Sequence, residues 1–200
     1  MPTPRSQLVD PDRPGIYHCI SRCVRRAYLC GAGISDRKAA IHNRMIALSR
    51  VFAIDVAGFS VLDNHFHNVL ATDPDRVDTW SDREVVERWF QVFPKSIHKW
   101  ALDGVRRDRH FATVKNQIDQ HGRLPEEVAI RVVSGLGSIV ATLRKRLANL
   151  SWFMRCLKHY IAVIANREDE CTGHFWEGRF KSIRVLDTAA LLATMIYVDL

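Results

Sequence analysis

Apolar positions Ile16, Tyr17, Cys19 and Ile20 crowd the short run Gly15-Ile16-Tyr17-His18-Cys19-Ile20-Ser21-Arg22, which reads as a strand. Two more strands are predicted, from Ile54 to Leu62 and from His65 to Thr72. Those two runs are joined at Asp63-Asn64, both turn formers, so they predict an antiparallel hairpin. Between the first and second runs the spacing turns helical. Asp36 is the expected N-cap, and Ala40, Ile41, Met45, Ile46 and Leu48 supply the apolar positions of a helix reaching about Val51.

From Asp73 to about Gly137 the pattern changes to a charged stretch holding Trp80, Trp89 and Trp100, broken by Pro74, Pro94 and Pro125. It predicts short helices, inserted at about 73–137. A long helix is expected from about Ser138 to Asn166, bearing Arg144, Lys145, Arg146, Arg155 and Lys158. Gly173 to Val185 reads as a fourth strand, and Asp187 or Thr188 caps a last helix that runs to Leu200. Residues 1–14 carry four prolines and read as an irregular lead-in. Strand, helix, hairpin, helices, strand and helix predict an α+β fold, an antiparallel ferredoxin-like sheet with helices packed on it. Residues 1–200 are expected to form a single domain enlarged by the helical insertion.

Composition adds three things. A hydrophobic share of 47% with 26% charged residues is that of an ordinary globular protein. No run is long enough to span a membrane, and the polar start Met1-Pro2-Thr3-Pro4-Arg5-Ser6 has no signal-peptide core, which points to the cytoplasm. A net charge of +7 favours a polyanionic partner. The five cysteines, Cys19, Cys23, Cys30, Cys156 and Cys171, are odd in number without a C-x-x-C pair, so no disulfide framework is expected. Zinc on Cys19, Cys23 and Cys30 with His18 matches no standard ligand spacing.

The chemistry begins at Asn64-His65-Phe66-His67. On a strand, residues i and i+2 share a face about 6.5–7 Å apart. His65 and His67 can therefore converge on one divalent ion while Phe66 turns to the other side. Alone, such a pair reads first as two histidines that each hydrogen-bond a neighbour.

A family gives it company. Tyr17-His18-Cys19-Ile20-Ser21-Arg22, Asn64-His65-Phe66-His67, Gly178-Arg179-Phe180-Lys181-Ser182 and Met195-Ile196-Tyr197-Val198-Asp199-Leu200 together resemble the REP-associated tyrosine transposases, single-tyrosine members of the HUH superfamily. The family's usual blocks are Y-H-V-x-x-R, P-N-H-x-H, G-R-Y-K-S and R-Y-I-x-L-N-P-V, in that order. Asp63 stands where the family has proline and Phe180 where it has tyrosine. The 73–137 region is longer than the usual connection, and the chain stops at Leu200 where the family continues with Asn-Pro.

The resemblance implies single-stranded DNA cleavage through a 5′-phosphotyrosine intermediate with Mg²⁺ or Mn²⁺. It assigns His65 and His67 to the metal and Tyr197 to the nucleophile, with Tyr160 as the rival. Helical geometry favours Tyr197, because Leu191, Met195 and Val198 share a face and Tyr197 lies off it beside Ala190, Ala193 and Thr194. The family's third metal ligand, one turn past the tyrosine, would fall just beyond Leu200. Arg22, Arg179 and Lys181 are the expected DNA contacts, with Phe175 and Trp176 near the latter two. Arg144-Lys145-Arg146 is expected to be a solvated face and Trp176 a core anchor. The implied partner is single-stranded or hairpin DNA at palindromic repeats, which places the protein at the nucleoid. A homodimer is one assembly known among insertion-sequence relatives. Two competing readings are a decayed or domesticated protein that binds hairpin DNA without cutting it, and a metal-dependent hydrolase with no covalent step.

Overall fold

The computed structural model describes residues 9–31, 36–107, 114, 116–119 and 123–199. They form two compact units, 1–75 with 148–200, and 76–147. Leu200 and most of the proline-rich lead-in lie outside the described residues, as do the side chains of Arg107, Val198 and Asp199.

The first unit is built on a four-stranded antiparallel sheet. In chain order it contains β1 (Gly15–Arg22), α1 (Arg37–Ser49), β2 (Ile54–Val61) and β3 (His65–Thr72). The strand order is β2-β3-β1-β4, with β4 (Lys181–Val185) at the far edge. That is the ferredoxin-like order expected from the pattern, and the fold is α+β. The hairpin of β2 and β3 closes at residues 62–64, where the Leu62 N–H donates to the His65 carbonyl at 2.9 Å. A bulge between Val56 and Gly58 shifts the register within β2.

Pleating sorts the side chains. Tyr17, Cys19 and Ser21 of β1 and Phe66, Asn68 and Leu70 of β3 point to one face and are at most 2% exposed. Two helices cover this face. Met45 of α1 and Met154 of α6 (Leu150–Glu168) both receive the Asn68 amide, at 3.9 and 3.4 Å. Helix α1 begins where the Asp36 carboxylate accepts from the Ala39 N–H at 2.9 Å. Its Ile41, Met45 and Leu48 are fully buried. Burying each such side chain contributes roughly 2 kcal/mol. Arg37, 2% exposed, ties the start of α1 to the end of α6 through Glu168 at 2.9 Å and through Asp169.

The opposite face carries His18, His65 and His67 and receives α7 (Thr188–Asp199), which packs on β2 and β3. Gly58 lies beneath it, and a Cβ there would sit 3.9 Å from Met195.

The second unit holds α2 (Asp82–Val92), α3 (Pro94–Arg107), α4 (Glu126–Ser134) and α5 (Gly137–Leu147). Ser81 caps α2 by accepting from the Glu84 N–H at 3.1 Å. Arg83 grips Glu127 with two bonds of 2.7 Å, and Arg144 bonds Asp82 at 2.7 Å.

Two sequence expectations need correction. The single helix expected from Ser138 to Asn166 is two, α5 and α6, because Asn149 acts as a cap and accepts from Ser151 and Trp152 N–H at 2.9 and 3.2 Å. The fourth strand is short. Phe175, Trp176 and Phe180 all turn into the core, which breaks the alternation, and only Lys181–Val185 pairs with β1. Among the described residues no helix is long and apolar enough to cross a membrane.

Candidate functional site

The antiparallel register sets Ile20 opposite His67 and Arg22 opposite His65. His18 is therefore one pleat away from His67 on the same face. Its Nε2 lies 2.8 Å from His67 Nδ1, and the two rings stack with centroids 5.1 Å apart. The His65 ring meets His67 edge to face at 4.9 Å. His65 Nδ1 is bonded to Asn64 Oδ1, and the Asn64 amide in turn donates to the Arg26 carbonyl at 3.4 Å.

Each ligand candidate thus has its Nδ1 engaged, one by Asn64 and one by His18. With its proton on Nδ1, an imidazole presents the Nε2 lone pair, the form in which histidine binds metal. In His67 that tautomer requires His18 to accept at Nε2 and to carry its own proton on Nδ1. The donor set fits two ligands of a divalent ion. Among the described residues no group of three His, Cys, Asp or Glu is arranged to hold a metal.

Burial disfavours the charged form of all three histidines. Burial, and then the nearby His18, His65 and Arg22, push His67 down to about 4. Burial and then Arg22 lower His65, and burial lowers His18.

Tyr197 stands against this cluster. Its ring centroid is 5.5 Å from His67 and 6.2 Å from His18, edge-on to both, and the side chain is 63% exposed. Tyr160 is elsewhere. It sits on α6, against the other face of the sheet, with the Arg44 guanidinium 4.6 Å above its ring. The structure brings Tyr197 to the histidines and leaves Tyr160 away from them.

The three expected DNA contacts also converge. Arg22, Arg179 and Lys181 line one cavity of about 290 Å³ with Ile20, Arg26, Glu177 and Gly178. Arg179 lies in the loop before β4, outside the paired part of the strand expected from Gly173 to Val185. That loop is laced to the end of β1: the Val24 N–H donates to the Phe175 carbonyl at 3.0 Å and the Glu177 N–H to the Arg22 carbonyl at 2.9 Å. Arg25 and Arg26 adopt left-handed φ of 54° and 55°, uncommon for residues with a side chain. Phe175 and Trp176 are 3% and 8% exposed and serve the core. Arg144, by contrast, is occupied by Asp82 in the second unit.

Sequence reasoning missed His18 and Asn64 as partners of the histidine pair. Both lie inside the motif blocks, but only the strand register places His18 beside His67.

No protein-family model matches the chain. No curated protein matches it. Among solved structures, the chain is similar to a REP-associated tyrosine transposase bound to a REP hairpin, at 12% identity and a TM-score of 0.49 over 99% of this chain and 70% of that one.

Proposed function

We propose that this chain binds single-stranded or hairpin DNA and cleaves it by transfer to Tyr197. The observation that carries the reading is the placement of the exposed Tyr197 ring 5.5 Å from His67, on the sheet face that also holds His65 and His18. The order of the four sequence blocks supports it independently.

In this reading the Tyr197 hydroxyl oxygen attacks a backbone phosphorus. A tyrosine O–P bond forms, the P–O3′ bond breaks, and the products are a 5′-phosphotyrosine and a free 3′-hydroxyl. The phenolic proton passes to solvent, which reaches the exposed ring, and water protonates the leaving oxygen. A divalent ion on His65 and His67 would polarise the scissile phosphate and offset its developing charge. Asn64 and His18 orient the two imidazoles, and the depressed basicity of His67 keeps it unprotonated at neutral pH. Arg22, Arg179 and Lys181 hold the strand by its phosphates, contacts that position without reading sequence.

The test is incubation with a hairpin carrying a single-stranded flank and Mn²⁺, followed by a denaturing gel. A protein–DNA adduct that survives in Tyr160→Phe and disappears in Tyr197→Phe supports the reading. An adduct that follows Tyr160 overturns it. A second reading, a protein that holds DNA without cutting, is favoured by one observation: among the described residues no third ligand joins His65 and His67. DNA binding with no adduct at any Mn²⁺ concentration would select it.

A further inference from the structure

A second cavity of about 530 Å³ opens in the first unit, between α6 and the loop before β4. Its apolar lining comes from Met154 and Ala162 of α6 and from Phe175, Trp176 and Phe180 of the loop. Polar groups complete it: Arg155, Lys158 and His159 from α6, and His174 and Arg179 from the loop. Among the described residues no carboxylate lines it.

The walls are braced. The Trp176 indole N–H donates to the Lys158 carbonyl at 2.8 Å, and Lys158 Nζ donates to the Gly178 carbonyl at 2.6 Å. These bonds clamp the loop onto α6 from both sides. Arg155, His159, His174 and Arg179 are all exposed. The cavity lies within the 300–1,000 Å³ typical of small-ligand sites.

Its position narrows the ligand further. Gly178 and Arg179 line this cavity and also the one holding Arg22 and Lys181. The two are neighbours across a ridge two residues wide. At Gly178 the space beside the backbone is open, since a Cβ there would meet nothing within 4 Å. A strand lying along Arg22 and Lys181 needs only to cross the ridge to reach an apolar hole ringed by cations.

We infer that this cavity is a nucleotide pocket. It takes one unpaired base of the bound strand into its apolar interior while Arg155 and Arg179 hold the flanking phosphates. The inference rests on the DNA-binding reading above and adds a base-binding subsite to it. A planar base fits the apolar lining, exposed imidazoles such as His159 and His174 are suitable stacking partners, and the absence of acids suits an anionic backbone.

The test uses the full chain and two fluorescent single strands with equal phosphate numbers, dT12 and an abasic dodecamer. Fluorescence anisotropy reads the binding. The wild type should prefer dT12 by about tenfold, the scale of one base stacked on protein. Ala162→Phe fills the cavity without changing charge, so it should lose that preference and bind the abasic strand like the wild type. Should Ala162→Phe fail to fold, the surface double variant His159→Ala/His174→Ala must weaken dT12 selectively. Equal affinity of wild type for the two strands, or dT12 binding unmoved by the variants, overturns the pocket while leaving DNA binding intact. Failure of the wild type to bind either strand overturns the DNA-binding reading along with it.

Discussion

His18 Nε2 sits 2.8 Å from His67 Nδ1, so the tautomer of a residue on β3 is tied to that of a residue on β1. The pairing is buried, with His18 7% and His67 4% exposed, and water does not compete strongly for either group. If His67 ligates a metal through Nε2, His18 is a positioning residue whose loss frees the ring to turn and to exchange tautomers.

His18→Phe should therefore weaken Mn²⁺ binding by roughly 10–100-fold, the usual cost of losing a group that orients a ligand. His18→Gln, which keeps a hydrogen-bonding group, should recover part of it. Isothermal titration with Mn²⁺ alone measures both, with thermal melting as the check on folding. Unchanged affinity in the phenylalanine variant would remove His18 from the site.

The low basicity of His67 makes stability depend on pH. The folded protein takes up its proton only near pH 4, whereas the unfolded chain does so near the ordinary value of 6.5. Between those values the unfolded state binds more protons, so stability falls as pH drops from about 6.5 to about 4 and this contribution levels off below. From pH 7 to pH 5 the loss should be at most about 2 kcal/mol. Urea unfolding at the two pH values measures it, and His67→Asn should show a smaller drop.

Gly58 lies under α7 with room for a methyl group, 3.9 Å from Met195, and its φ is not in the left-handed region. Gly58→Ala should stabilise the protein by about 0.5–1 kcal/mol by restricting the unfolded chain, and it should also add a contact to the helix bearing Tyr197. Gly58→Trp, too large for the gap, should lift that helix and lower any adduct yield. Chemical denaturation and the gel assay read the two effects separately.

Arg37 is buried with its charge, answered by Glu168 and Asp169. Replacing both acids, Glu168→Gln with Asp169→Asn, leaves a buried guanidinium without an anion and should cost about 2–4 kcal/mol, discounted because Asp169 is partly exposed. Arg37→Met removes the charge itself and should cost less. The midpoints of urea unfolding decide the order.

The sheet was largely legible in the sequence because short apolar runs bounded by turn formers mark β1 and the hairpin, and on a strand His65 and His67, two residues apart, share a face. The end of β4 was not. Phe175, Trp176 and Phe180 read as strand residues, yet all three are drawn inward, and only the packed tertiary structure decides that. The break at Asn149 was visible in principle as a capping residue, but helix-forming neighbours on both sides masked it. Within the site, the i, i+2 pair and the position of Tyr197 off the apolar face of its helix were readable. His18 was not, because its role depends on a cross-strand register that no local spacing encodes.

Strand β1 has further consequences for how this chain can vary. Its odd-numbered residues, Tyr17, Cys19 and Ser21, belong to the core, and its even-numbered ones, His18, Ile20 and Arg22, belong to the open face. A substitution in one set leaves the other in place, so packing and the chemistry of the open face can drift separately. A one-residue deletion within the strand would flip the residues on one side of it to the other face, sending either a guanidinium inward or a buried ring out. Changes of letter are open to this strand, and changes of length are closed to it.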